Sequence, residues 1–447
     1  MAQTISYSRY MERVLNNNIA LTAKKMDIEI SDAAAESSKV FNDPSVALTY
    51  TNNEDWSKGL GQGIEFELGK TFTFGVRHSR MDLAESERRQ AVALLEEYMR
   101  NFRADATIAY LEHLQAKMLF VEAKEIYTDI SEVATNDSVR YQRGDIAESD
   151  WLESRMAQGV AKNAMLAAEA EQRNSAIKLG YYMGDINGAA SLDGAGTLEI
   201  NEAVMSLEQY TRTALEHRAD IVVALGNADI AVAAQKFNKA QRRPELDIVL
   251  GATYNIADPN FTTIKAGVAM PLKFSNLNKG ARLQDELLVK QANVEIEEAR
   301  LMVAAEVMQA YNNLEYATRQ SETFSTAMLG DMRQVVESKR KAYEMGEIPF
   351  LDYLMVQRNE SEMRGEYIGA LFGKAVAWVE LQRAVGIELK FGANLITNRQ
   401  DTNKSDTGRY RFYCKHHLNR LLCLYETPLT LSTPATSIIV YIMLSVR

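Results

Sequence analysis

The sequence predicts a mainly α fold with a membrane β part, and three observations carry that prediction. Proline is scarce, 7 in 447 residues, which leaves room for long helices. Two stretches, about 80–140 and about 281–343, contain no proline and almost no glycine, and their apolar residues recur at helical spacing. Four shorter segments instead alternate apolar and polar side chains with a period of two, the mark of strands.

Composition narrows the function classes. The net charge of -10, from 50 Lys+Arg against 60 Asp+Glu, argues against a nucleic-acid partner. With 46% hydrophobic and 25% charged residues the chain reads as neither disordered nor a helical membrane protein, and no run of 18 apolar residues offers a spanning helix. The only two cysteines are Cys414 and Cys423; the cysteine-free stretch up to residue 392 excludes a disulfide framework there and suits an oxidising compartment. The N-terminus has no basic region followed by an apolar one, so as written it carries no secretory signal, although Ala2-Gln3 reads like the pair around a signal-peptidase cut.

Landmarks repeat at an offset of about 200 residues. Tyr141-x-x-Gly144, followed by Asp150 and Leu152, aligns with Tyr343-x-x-Gly346, followed by Asp352 and Leu354; Leu179 to Gly184 aligns with Leu381 to Gly386, and Pro44 with Pro244. The expected organisation is a first repeat over 1–190, a second over 191–392, and an atypical tail over 393–447.

Each repeat reads as helix, two strands, very long helix, glycine turn, return helix. Residues 8–40 are helical in pattern and stop near Pro44. Residues 44–51 then alternate, as do 64–74, where Ile64, Phe66, Leu68, Phe72 and Phe74 oppose Glu65, Glu67, Gly69, Thr71 and Thr73. The second repeat alternates over Leu246 to Tyr254 and Ile264 to Leu272. The long helices, roughly 90 Å each at 1.5 Å per residue, carry a ladder of Leu95, Met99, Phe102, Ala106 and Ala109, and a seven-residue ladder of Leu287, Val294, Leu301 and Met308. Such seams pack against neighbouring helices along their length. Gly144 and Gly346 are expected at positive φ in the turns.

The tail has seven Lys/Arg against three Asp/Glu and no periodicity, and reads as disordered or frame-shifted. Its Cys414, His416, His417 and Cys423 fit no standard zinc spacing, so no metal site is expected. Gly59-x-Gly61-x-Gly63 lacks the lysine and helix of a phosphate loop and reads as a hairpin loop. Asp185-Ile186-Asn187-Gly188 lacks the acidic twelfth position of a calcium loop and reads as a turn. His78, His113 and His217 stand far apart, with His113 at a packed helix position, and no catalytic triad is legible. No enzyme activity and no cofactor is expected.

The strands are the informative feature, since about 9–11 tilted residues suffice to cross an outer membrane. Four strands cannot close a barrel, and an open edge in lipid would strand backbone polar groups. Several copies would have to share one barrel, eight strands from two copies or twelve from three. The bland alternative is a soluble coiled-coil scaffold whose strands form a small sheet; Glu65, Glu67 and Lys265 on the polar faces instead suit a wet lumen.

The order of elements and the paired motif Tyr141-x-x-Gly144-x-x-x-x-x-Asp150 and Tyr343-x-x-Gly346-x-x-x-x-x-Asp352-x-Leu354 resemble the TolC-like outer membrane efflux proteins. Lys70 to Arg80, with Ala84 to Glu87, looks closest to the branch serving heavy-metal cation pumps. The resemblance covers residue 5 to about 390. It implies a homotrimer whose strands complete a 12-stranded barrel in the outer membrane of a Gram-negative bacterium, in contact with its lipid, continued by an α-helical tunnel through the periplasm. It further implies passive conduction from an inner-membrane efflux pump, through a periplasmic adaptor docked on the turns at Gly144 and Gly346. In relatives the tunnel mouth is narrowed by aspartate rings and by Tyr, Arg and Asp links; Asp150, Tyr343 and Asp352 match those positions. Ile348 stands where some relatives have a linking Arg, and Met355 where they have a second ring aspartate. Three copies of Asp352 around an axis would form an acidic cation filter; the other reading of Asp150 and Asp352 is a helix N-cap.

Overall fold

The computed structural model describes residues 3–52, 62–200, 204–256, 262–271, 278–324 and 326–387. The readings for Gly59 and Gly61, for the strand end at Leu272, and for residues 393–447, including Cys414, His416, His417 and Cys423, lie outside the described residues.

The chain opens with a short strand, β1 (Gln3–Ser6), and helix α1 (Tyr7–Asn17), which buries Tyr10 and Val14 one turn apart. The continuous helix expected over 8–40 breaks at Asn18, whose backbone is extended at φ -66° and ψ 125°. Its side-chain oxygen accepts the Leu21 N–H at 3.0 Å, and its amide donates to the Tyr182 carbonyl at 2.9 Å. Asparagine prefers such local bonds to a helix interior, so Asn18 ends α1 and caps α2 (Ile19–Ser38). Strands β2 (Ser45–Asn52) and β3 (Gln62–Phe72) follow. Then comes the 68-residue α3 (Val76–Arg143), about 100 Å long, and α4 (Glu148–Tyr182) returns along it. Ala104, Ala106, Ala109, Leu111 and Leu114 of α3 are buried; the small side chains permit close helix approach.

Between the halves lies β4 (Leu192–Ala195), which pairs in parallel with β1, from Gln3 opposite Leu192 to Ser6 opposite Ala195. This ribbon was not anticipated: four-residue strands carry too little alternation to register. The Tyr110 hydroxyl lies 2.9 Å from the Ile5 carbonyl and 2.6 Å from that of Ala195, so α3 clamps both strands.

The second half runs α5 (Leu207–His217), α6 (Ala219–Gln241), β5 (Leu246–Asn255), β6 (Thr263–Ala269), α7 (Lys279–Thr323), α8 (Thr326–Glu344) and α9 (Phe350–Val385). It repeats the order of the first, down to the eleven-residue helices α1 and α5, each ended by an extended residue. The second such residue, Arg218, is buried; it ion-pairs with Asp220 and Glu306 and donates to the Ala384 carbonyl at 3.1 Å, joining α6, α7 and α9. The one long helix expected over 281–343 is two, because Phe324 leaves helical geometry at φ -91° and ψ 96°. Just before it, Ser321 donates to Thr318 O at 2.8 Å and Thr323 to Arg319 O at 3.1 Å, and such back-bonding loosens a helix end.

The four longer strands form one antiparallel sheet in the order β2-β3-β5-β6. Register sorts the side chains into two faces. Val46, Leu68, Leu250 and Ala266 form one row, and Leu48, Phe66, Ala252 and Ile264 the next. Between these rows the opposite face carries Ala47, Glu67, Gly251 and Lys265, then Thr49, Glu65, Thr253 and Thr263. Lys265 ion-pairs with Glu65 on that polar face. On the apolar face nothing in the described chain covers the large side chains: Leu48 is 73% exposed and Ile264 84%.

Candidate functional site: the helical tip

At the far end of the long helices two glycine turns stand side by side. Gly144 ends α3 at φ 82°, with its N–H on the Tyr141 carbonyl at 2.9 Å and the Asp145 N–H on that of Arg140 at 2.9 Å. Gly346 ends α8 at φ 77° with the same pair of bonds, to Tyr343 O at 2.9 Å and from Glu347 to Ala342 O at 2.8 Å. Both are left-handed caps of the Schellman type. A Cβ on Gly144 would meet nothing within 4 Å, so conformation and not space demands glycine there.

Beneath the turns Ile130 and Val133 of α3, Ala157 and Ala161 of α4, Val336 and Tyr343 of α8, and Phe350 and Tyr353 of α9 form one buried cluster. The Tyr343 and Tyr353 rings stack at 6.2 Å between centroids, and Arg140 lies over the Tyr343 ring at 5.4 Å. Arg340 of α8 reaches Glu132 of α3 at 2.7 Å, and Arg364 of α9 reaches Glu122 of α3 at 2.8 Å. The two hairpins are thereby held to each other by an apolar center and charged flanks.

A chain with a sheet at one end and this tip at the other has counterparts among known proteins. Residues 211–387 match the family model described as "Outer membrane efflux protein". The cobalt-zinc-cadmium resistance protein CzcC of Cupriavidus metallidurans is 22% identical over 377 residues, 83% of this chain and 87% of that protein. The outer membrane channel CmeC of Campylobacter jejuni superposes with a TM-score of 0.72 at 15% identity, covering 85% of each chain. The channel-forming protein CusC superposes at 0.66 and 15% identity, over 85% of this chain and 92% of that one. Residues 211–387 thus match the outer membrane efflux protein family, and the chain shares the fold of these outer membrane channels.

The residues singled out in the sequence fall unevenly at the tip. Tyr343 is buried, 4% exposed, and its neighbours are Arg140, Asp137 and Asp150. Burial, with the Asp137 carboxylate beside it, pushes the phenol far above its ordinary value, so the hydroxyl keeps its proton and can only act as a neutral donor or acceptor. Asp150 is half-buried and feels the same corner, while Asp352 is exposed. Neither aspartate is an N-cap: those positions are Ala147 and Pro349, and Asp150 and Asp352 are the third residues of α4 and α9. The cause is that each helix starts three residues earlier than the aspartate suggests, the second after Pro349. In that first turn both carboxylates complement the helix dipole. Ile348 packs onto the buried cluster and Met355 is 56% exposed.

Sequence reasoning missed Asp137, Arg140 and Ser154. Asp137 lies within Ala134-Thr135-Asn136-Asp137-Ser138, a run that reads as a solvated face, yet it is 1% exposed. Its burial comes from residues on α4 and α8, which no local pattern discloses. Arg340 was also missed; its bond to Glu132 holds the guanidinium firmly protonated. His113 was expected as a packed residue and is fully buried, but it also works as a connector. Its Nε2 accepts the Gly194 N–H at 3.1 Å, which assigns the ring proton to Nδ1, facing Ser175 Oγ at 3.0 Å. The Asp185 stretch is a turn, with the Asp185 carboxylate accepting the Asn187 N–H at 3.0 Å. Among the described residues no group of three or more His, Cys, Asp or Glu side chains could hold a metal.

Proposed function

We propose that three copies of this efflux protein assemble into a gated conduit, in which the strands complete a 12-stranded barrel in the outer membrane and the helices line a periplasmic tunnel. The single observation carrying this reading is the sheet: one face continuously apolar and uncovered, one face polar, and two outer strands, β2 and β6, each with an edge lacking a strand partner among the described residues. A lipid-facing sheet cannot leave those edges open, so further copies must supply the next strands. The helices point the same way. Leu287, Val294, Leu301 and Met308 of α7 repeat every seven residues and are 50–74% exposed, the seam of a helix whose neighbour lies on another chain.

The recurrence of the element order supports a division into two structural repeats, 1–190 and 191–392, which would give the trimer sixfold pseudo-symmetry. Under this reading Asp150, Tyr343 and Asp352 narrow the tunnel at the tip, and the turns at Gly144 and Gly346 dock a periplasmic adaptor that couples to an inner-membrane pump. The likeness to a cobalt-zinc-cadmium resistance protein favours metal cations as cargo. An exposed acidic ring of Asp352 would favour cations at the mouth.

The test is expression behind a signal peptide, extraction of the outer membrane in detergent, and mass by light scattering. A detergent-dependent trimer is the expected result. A soluble monomer or dimer with no membrane fraction would replace the conduit with a soluble coiled-coil scaffold.

A further inference from the structure

Among the described strand residues, the apolar face of the sheet carries one cation. Ile64, Phe66, Leu68, Lys70 and Phe72 of β3 share that face, so Lys70 stands in a row with Ile248 and Val268. Only one further row, Phe72 with Leu246, separates it from the helical end of the sheet. At a strand tilt of about 40° that is a drop of about 5 Å, within the reach of a lysine stem.

Two more cations gather where that end meets the helices. Arg77 and Arg80 lie in the first two turns of α3, beside the connection from α2 to β2. Arg77 Nε donates to Lys39 O at 2.6 Å, and its guanidinium stands over the Phe41 ring, 4.3 Å from the centroid. Arg80 Nε donates to Ser38 O at 2.9 Å and its Nη2 to Val40 O, while Lys70 Nζ donates to Asn42 O. Three side chains from two elements thus converge on one five-residue run, Ser38 to Asn42.

The acceptors in that run are neutral carbonyls, which orient the cations without balancing their charge. Among the described residues no carboxylate pairs with Lys70, Arg77 or Arg80: Glu36 is held by Lys39, Asp82 stands 3.7 Å from His78, and Asp43 pairs with none of the three. About two turns further along α3 the pattern changes. Arg88 there reaches Asp32 and Glu85, and Arg89 reaches Asp229 at 3.8 Å. Cations are left unbalanced only where the uncovered sheet ends, next to the exposed side chains of Val40, Phe41, Phe72 and Phe74. A lysine and two arginines with donors to spare, set at the rim of an apolar face, suit an anion that itself carries apolar chains.

We propose that Lys70, Arg77 and Arg80 bind the phosphodiester of an anionic glycerophospholipid in the leaflet on the helix side, with its acyl chains along the apolar face beside Phe72. The guanidinium forks of Arg77 and Arg80 offer paired N–H donors to phosphate oxygens, and Lys70 adds a point charge from above. Bound there, the lipid holds the first turns of α3 at the membrane surface.

This site rests on the conduit reading, and one experiment separates the two. The detergent-purified trimer is titrated with phosphatidylglycerol or phosphatidylcholine, and lipids retained on the trimer are counted by native mass spectrometry. The wild type should retain phosphatidylglycerol preferentially, up to three molecules per trimer, with a preference that weakens as salt rises from about 0.05 to about 0.5 M. Each cation changed to glutamine should lower the preference by about fivefold. Arg77→Lys with Arg80→Lys, which keeps the charge, should retain most of it, and Arg212→Gln in α5, at the other end of α6, should leave it unchanged. Circular dichroism and the trimer mass in the same spectra establish folding. If the triple glutamine variant does not assemble, Lys70→Gln decides alone, since it gives up a single bond to one carbonyl. Equal preference in wild type and Lys70→Gln, or displacement of the lipid by about 1 mM inorganic phosphate as expected of a site for the free anion, overturns the lipid site and leaves the conduit intact. A wild type that forms no detergent-stable trimer overturns the conduit reading, and the lipid site with it.

Discussion

The two ends of the molecule are finished to different degrees. At the tip, four helices close a core within one chain: Phe350 and Tyr353 are each 1% exposed, and arginine bridges link both hairpins. At the sheet, Leu48, Ile264 and Val268 are 70% exposed or more, and two strand edges have no strand partner among the described residues. Under the proposed trimer, the end that leaves its apolar face bare is the one completed by lipid and by other copies, whereas the tip already packs against itself.

The largest expected effect breaks the unfinished end. Phe66 stands in the middle of the apolar face, in the row of Leu48, Ala252 and Ile264. Phe66→Arg should cost about 2–4 kcal/mol in each copy at the bilayer midplane, enough to abolish the membrane trimer. Membrane fractionation and light scattering check it, and a normal trimer from this variant would mean that the face does not meet lipid. Next comes the tip. Gly346→Ala forces a Cβ into left-handed geometry at about 1–2 kcal/mol, so tip amides should exchange hydrogen several-fold faster while trimer mass stays unchanged. Equal protection in variant and wild type would contradict the strained-turn account.

The smallest effect lies between the ends, at His113. Burial lowers its pKa below 6.5, so the folded chain holds the neutral ring that accepts from Gly194. For a lowered histidine the unfolded chain binds the extra proton. The contribution is present in full above pH about 6.5 and is lost as pH falls through the folded value. Thermal unfolding of His113→Gln should accordingly show a shallower pH slope than wild type between pH 7 and 5. Parallel slopes would remove His113 from the pH response.

Much of this was legible because it is periodic. The length of α3, the two faces of each strand and the glycine turns follow from spacing and from residue types with one strong local preference. The breaks at Asn18 and Phe324 were hidden because each is short and lies within a polar pattern that continues on both sides. Tyr343 was legible through the paired turn motif, but its partner Asp137 was not: the two lie about 200 residues apart in sequence, and a carboxylate in a polar run looks solvated until another helix covers it. The register that sets Lys265 opposite Gly251, in the row of Glu67, and lets it reach Glu65 was equally out of reach, although the polar face itself was not.

The parallel ribbon of β1 with β4 has a consequence in time. Gln3 waits for Leu192, so nearly the whole first half must be delivered before its opening strand finds a partner. Closing a loop of that span costs about 4–5 kcal/mol of chain entropy, more than four residues of ribbon return by themselves. The ribbon must therefore form late, after the α3–α4 hairpin has drawn its ends together, and it acts as a clasp fastened on an already folded first half.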